Sequence, residues 1–349
     1  MKGQEFSITV RVLLVLALVV SAGFAAGVLW YQGPEAWLIR TALIGVWFAF
    51  TVSCAVWLFR GTGGRALIVY GAAFAALLLW FALIEPRNDR LWSPEMARTL
   101  TYTHDGSSIV VSNLRNFAWT GPAAAVERWE VRRYDLSALK SVDVLSLYWK
   151  GPRIAHTYFS FVWSNGEALS ISVEIRKEMG EAYSPIGGFF KAYELSILAG
   201  DERDFYGWRI FFPKEDIQLF RTRATPQEAR TLLLALLDSA NELAKAPVFY
   251  NTLTENCTTE VWMLTEALGA GSPSDLRILA SGYLPEFLYD LTILDTARPL
   301  TVLRDQGRIL PAARVAVGRG LVGPAFSKAI RQGVPPFSTM LDKPGDRFH

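Results

Sequence analysis

The chain has 349 residues, 51% of them hydrophobic, with 35 basic and 33 acidic side chains. That length allows one large or two ordinary domains, and the apolar share is high for a purely soluble protein, so part of the chain belongs in lipid. Beyond Glu85 basic and acidic residues are equal in number, which leaves no electrostatic footprint for a nucleic-acid partner.

Three uncharged apolar runs open the sequence, Val12 to Trp30, Thr41 to Phe59 and Ala66 to Ile84, each 19 residues long and near the length that spans a bilayer. They predict a three-span membrane anchor over 1–85. Trp30, Tyr31, Trp37, Trp57 and Trp80 fall at or near the span ends, as an aromatic belt requires. A cleaved signal peptide is the competing reading of the first run. It is disfavoured because the small-residue sites at Ser21 to Gly23 and Ala25 to Gly27 lie within an apolar run that continues to Trp30. The loop with Arg60 and Arg65 carries no acid, so it is the cytoplasmic one. The N-terminus is then inside and everything after Ile84 outside, in a bacterium the periplasm. The expected location is the bacterial inner membrane, multi-pass, with a periplasmic domain.

Residues 86–298 read as that domain, large enough to bury its own core, and 299–349 as a basic, Gly/Pro-rich C-terminal tail. Ser107 to Ser112, Val126 to Tyr134 and Leu136 to Trp149 read as strands, and Gln227 to Ala244 as a helix with a leucine stripe. The charge clusters Glu174 to Glu178 and Asp201 to Asp204 are expected on a solvated surface.

Arg153 to Arg176 alternates around Ser164-Asn165-Gly166. A three-residue turn with Gly166 left-handed sets Phe159 opposite Ile171 and Phe161 opposite Leu169, giving one apolar face. The same register sets His156 opposite Glu174 and Tyr158 opposite Ser172 on the other face. A histidine and a carboxylate about 5 Å apart make a base with its orienter. They also suit an ordinary surface pair. The chain has three histidines; His104 lies in a Thr-His-Asp-Gly turn and His349 is the last residue.

Pro247 precedes a polar run, Tyr250-Asn251-Thr252-Leu253-Thr254-Glu255-Asn256-Cys257-Thr258-Thr259, followed by helical spacing to Leu268 and a Gly269 stop. Cys257 is thereby expected at a helix N-terminus, where unpaired N–H groups and the helix dipole favour a thiolate and could hold an oxyanion. A small buried thiol is the plainer reading. Cys54 lies inside an apolar run, so a disulfide to it is not expected. No His/Cys/Asp/Glu set has metal-ligand spacing, and neither a Gly-rich Lys-Ser/Thr loop nor a Gly-x-Ser-x-Gly elbow occurs. No metal or other cofactor is expected.

The blocks Asn113 to Phe117, Ala155 to Phe161, Ile171 to Arg176, Glu202 to Asp204 and Pro247 to Thr259 resemble the Lnb N-terminal periplasmic domain family, associated with Lnb-type lipoprotein N-acyltransferases. The order His then Asn-Cys is similar to that of circularly permuted papain-like thiol enzymes, the NlpC-type and lecithin:retinol acyltransferase groups among them. The resemblance implies an α+β fold: three transmembrane helices, then a permuted papain-like domain with an antiparallel sheet packed on the cysteine-bearing helix. It implies Cys257 as nucleophile and His156 as base, to which the hairpin register adds Glu174 as orienter. Asn256, Thr258, Ser172 and Tyr158 are expected as oxyanion or supporting groups, and Arg176, Tyr250, Asn251 and Arg115 as substrate contacts. The expected activity moves an acyl chain from a phospholipid donor to the N-terminal amine of a lipoprotein acceptor at the membrane. A cysteine peptidase or amidase acting on cell-wall peptides would use the same residues, and a non-catalytic tethered binding module is the third possibility.

Overall fold

The structure is a computed structural model and describes residues 7–60, 63–149, 151–252, 263–269, 275, 277 and 280–338. The chain divides into two compact units. The first contains α1 (Ile8–Gln32), α2 (Trp37–Phe59) and α3 (Gly63–Ala82), all long and apolar enough to cross a membrane. Each begins a few residues ahead of its apolar run, because a helix continues through polar residues at its ends; Ser7, for example, caps α1 by accepting from Val10 N–H at 3.4 Å. Small residues bring the helices together: Ala22, Ala25 and Cys54 are fully buried, and Ser21 Oγ meets Tyr70 OH at 2.9 Å. Most other span side chains are exposed and apolar, the surface lipid requires.

Residues 183–193 belong to this same unit. Gln32 Nε2 donates to the Lys191 carbonyl and Lys191 Nζ donates to the Phe81 carbonyl, both at 2.8 Å. The C-terminal ends of α1 and α3 therefore share one side, and the end of α2 at Phe59 and the start of α3 at Gly63 lie at the other. This is the alternation expected of three consecutive spans.

The second unit is built on a mixed sheet of β1 (Thr101–Asp105), β2 (Ser108–Arg115), β5 (Trp129–Asp135), β6 (Leu139–Tyr148), β7 (Ala155–Trp163), β8 (Ala168–Arg176), β9 (Glu194–Gly200) and β10 (Asp216–Arg221). Its order is β1-β2-β9-β8-β7-β6-β10, with β5 also on β2; β3 (Ala118–Gly121) and β4 (Ala124–Val126) form a separate ribbon. The sheet is not wholly antiparallel as expected, because β2 and β9 meet in parallel at Arg115↔Gly200. His104 stands exposed on β1, ahead of the turn in which it was read.

The hairpin has the expected register, Phe159↔Ile171 and Phe161↔Leu169, with Gly166 at φ +85°. Phe159, Phe161, Leu169 and Ile171 are fully buried with the leucines of α5 (Pro226–Lys245). Thr225 and Glu228 close a capping box at the start of α5, and Pro226 opens it. The helical residues 263–267, ended by Gly269 at φ +67°, pack on this same face through Leu264, as do α6 (Leu284–Asp290) and α7 (Leu300–Gln306).

The opposite face carries Leu145, Leu147, Tyr158 and Leu198 under α4 (Glu202–Gly207), α8 (Leu310–Gly318) and α9 (Gly323–Ile330). The segment read as a tail thus supplies helices to both faces. Its Arg331 is buried against Asp143 and Glu202 at 2.9 and 2.6 Å. The cluster read as solvated is the reverse: Asp201, Glu202 and Asp204 are buried, each facing an arginine.

Candidate active site

Strand β7 pairs with β6 along its length and β8 pairs with β9 as far as Arg176↔Glu194, yet the β7–β8 ladder stops at Phe159↔Ile171. Past that pair the strands part. His156 and Glu174 are therefore not partners in the ladder, but their side chains bridge the opening: Nε2 lies 2.8 Å from Glu174 Oε1 and 2.7 Å from Ser172 Oγ. Ser172 in turn donates to Glu174 Oε1 at 2.9 Å. Two donors on one carboxylate oxygen fix the proton on Nε2, so Nδ1 carries the lone pair. Among the described residues no group bonds Nδ1. The imidazole is thus oriented as a base with one nitrogen held and the other open.

Glu174 is about four-fifths buried, and burial by itself raises a carboxyl. The imidazole's charge, present when the ring is protonated, and its hydrogen bond, the charge of Arg209 and the Ser172 hydroxyl outweigh it and hold Glu174 at about 2. The His156 ring stands edge-on to Tyr158, centroids 4.6 Å apart. Tyr158 OH accepts from Arg209 Nη2 at 2.9 Å, and burial pushes this phenol up to about 12. Arg209 also faces Glu215 at 3.4 Å, whose carboxyl burial pushes up. Arg209 and Glu215 were not read from the sequence. They lie on and after the short 3₁₀ turn Trp208–Phe211, where nothing in the local pattern distinguishes them from surface charges.

The start of β7 is pinned from the far side of the chain. Ser281 Oγ accepts from Ala155 N–H at 3.1 Å, Tyr148 OH donates to the Gly282 carbonyl at 2.8 Å, and a Cβ on Gly282 would lie 2.1 Å from the Pro152 oxygen. Only glycine permits this approach. At the same end of the sheet Leu195 N–H donates to the Val248 carbonyl at 2.9 Å and Phe249 bridges Glu194. The half-buried Tyr250 and Asn251 follow directly. The chain leading to the thiol therefore leaves the sheet beside the ends of β8 and β9.

Asn256, Cys257 and Thr258 lie outside the described residues. Arg115 and Arg176 are described, and neither is offered to a ligand. Arg115 Nε donates to Asp204 Oδ2 at 2.9 Å, and that carboxylate also accepts from Phe117 N–H and Trp119 Nε1, each at 2.8 Å. Two of the blocks carrying the resemblance, at 113–117 and 202–204, thus meet in one buried ion pair. Arg176 is 3% exposed and spans Asn88 Oδ1 and the Met96 carbonyl over the Trp92 ring, with burial lowering it to about 10. Long arginines on alternating strands look like ligand contacts in sequence. Here the helices and loops covering the sheet bury them.

The model of the family described as the Lnb N-terminal periplasmic domain matches residues 125–282. The match takes in His156, Ser172, Glu174, Arg209 and Cys257, and ends at Gly282, which braces β7. No curated protein and no solved structure matches the chain. Residues 125–282 thus match the model of the Lnb N-terminal periplasmic domain, on a chain that opens with three helices long and apolar enough to cross a membrane.

Proposed function

We propose that this protein is a thiol acyltransferase of the bacterial inner membrane with a papain-like catalytic domain of permuted order in the periplasm. The observation that carries the reading is the imidazole of His156: Nε2 is held by Glu174 and Ser172, and Nδ1 has no bonded partner among the described residues. Cys257 lies five residues beyond Thr252 within the matched segment and is the nucleophile of the proposal. His156 takes its proton, and the thiolate attacks a phospholipid ester carbonyl. The glyceryl oxygen leaves with that proton and a thioester forms. The α-amine of a lipoprotein's diacylglyceryl-cysteine then attacks the thioester, giving an amide and restoring the thiol.

Both substrates sit at a membrane surface, and tethering the domain there raises their effective concentration. The test is mass spectrometry of lipoprotein N-termini in a strain lacking other N-acyltransferases. N-acylation restored by the wild-type chain and lost with Cys257→Ala supports the proposal. N-acylation persisting in Cys257→Ala, or cleaved cell-wall peptides as the sole Cys257-dependent product, overturns it.

A further inference from the structure

Residues 183–193 of the connection between β8 and β9 belong to the unit of the membrane helices. Phe190 is their anchor. Its ring stacks on Tyr31 at 5.7 Å and meets Phe24 at 5.5 Å, and it fills the notch over Gly27, where a Cβ would lie 2.3 Å from the Phe190 ring. Polar bonds fix both ends of the segment. Tyr31 OH meets Ser184 Oγ at 2.8 Å, and Lys191 Nζ caps the carbonyls of Phe81, Ala82 and Ile84. The ammonium thereby serves the orphan carbonyls at the end of α3.

With Phe190 turned inward, the neighbouring large apolar side chains point out: Ile186 is 61% exposed and Phe189 43%, with Tyr183 exposed beside them. They are held at the level where α1 and α3 end. There Trp30, Trp80 and Leu83 are exposed as well, in the zone where aromatic side chains meet lipid headgroups. In water these residues would form an unexplained apolar patch. At a bilayer surface they continue the lipid-facing surface of the spans.

We infer that residues 183–193 are a fourth membrane element, an interfacial strap that carries Tyr183, Ile186 and Phe189 into the lipid between headgroups and acyl chains. The strap does not cross the bilayer and adds no span. It follows β8, so Glu174 lies nine residues before Tyr183 along the chain. The inference rests on the packing of the first unit and holds whatever reaction the domain performs.

The test places a single environment-sensitive fluorophore on cysteine at position 186 or 189 of the full chain, in a Cys54→Ala, Cys257→Ala background. The protein is reconstituted in phosphatidylethanolamine–phosphatidylglycerol vesicles with nitroxide-bearing lipids. Ile186→Cys and Phe189→Cys labels are expected to be blue-shifted and quenched by nitroxides near the headgroup. The same label at Asn165→Cys, in the hairpin turn, is expected to be quenched by aqueous iodide. Iodide quenching at 186 and 189 equal to that at 165 overturns the inference. So does protection there from both quenchers, which would mean that protein rather than lipid covers the strap.

Discussion

Replacing Arg331 with methionine tests the claim that the C-terminal helices are part of the domain's core. Its guanidinium is 2.9 Å from Asp143 and 2.6 Å from Glu202; when it is removed Asp143 keeps Arg221 at 3.2 Å, while Glu202 keeps the hydroxyls of Ser160, at 2.5 Å, and Ser327 but no ion-pair partner among the described residues. Removing one member of a buried ion pair costs about 3–5 kcal/mol, because the remaining charge is left without a partner in a poorly polarisable site. At about 2–4 °C per kcal/mol for a domain of this size, the melting temperature should fall by about 6–20 °C. The pH dependence fixes the cause. Burial alone would raise the Glu202 carboxyl, but Arg331's charge and hydrogen bonds hold it below its ordinary value of 4.5. In the wild type this stabilisation is present above about pH 4.5 and lost as pH falls through the lowered folded value. In Arg331→Met, burial is opposed only by the weaker hydrogen bonds of Ser160 and Ser327, and Glu202 takes up a proton at higher pH than in the wild type. The gap between the two proteins is therefore widest near neutrality and narrows below about pH 4.5. Thermal unfolding in detergent, followed by circular dichroism at pH 7.5 and pH 4, measures both. A shift under about 2 °C at pH 7.5, or a gap that widens in acid, would refute the reasoning.

Other substitutions separate structural from catalytic roles. Arg115→Ala should lower the melting temperature by a similar amount through the orphaned Asp204, leaving the KM of the surviving folded protein unchanged; a raised KM at unchanged stability would restore Arg115 to the substrate site. Glu174→Gln should reduce turnover roughly 10–100-fold, as loss of an orienting partner does, and should remove the stability that the wild type loses between about pH 4.5 and 2. Acid unfolding curves that coincide for the two proteins would count against the ionised pair. Gly27→Leu should expel the Phe190 ring and destabilise the membrane unit, and adding Phe190→Ala should recover much of the loss; a double variant no better than the single one would show that the two residues do not share a notch.

What the sequence made legible was local. The spans follow from run length, α5 from its leucine spacing, and the β7–β8 register from the one alignment that keeps Phe159, Phe161, Leu169 and Ile171 on a single face, which sets His156 and Glu174 at the same end of the hairpin though not as ladder partners. The charged core was not legible, because its partners are distant in sequence: Arg331 and Glu202 are 129 residues apart, Arg331 and Asp143 188. No local pattern distinguishes Asp201 to Asp204 as a buried helix start from an exposed acidic turn. Arg209 was missed for the same reason, and Arg115 and Arg176 were misplaced because alternation tells which face of a strand a residue takes but not what covers that face. The parting of β7 and β8 was also invisible, since it depends on each strand finding a better partner on its other side.

The central claim is that a thiol at position 257 accepts an acyl chain with His156 as its base. Intact-protein mass spectrometry of the purified full chain, incubated with phospholipid and no acceptor, tests it most directly. The expected result is an added acyl mass on Cys257 that hydroxylamine removes, absent in Cys257→Ala and formed roughly 10²–10⁴-fold more slowly in His156→Ala. An adduct that persists in Cys257→Ala, or none in the wild type under conditions where lipoproteins are acylated, would contradict it.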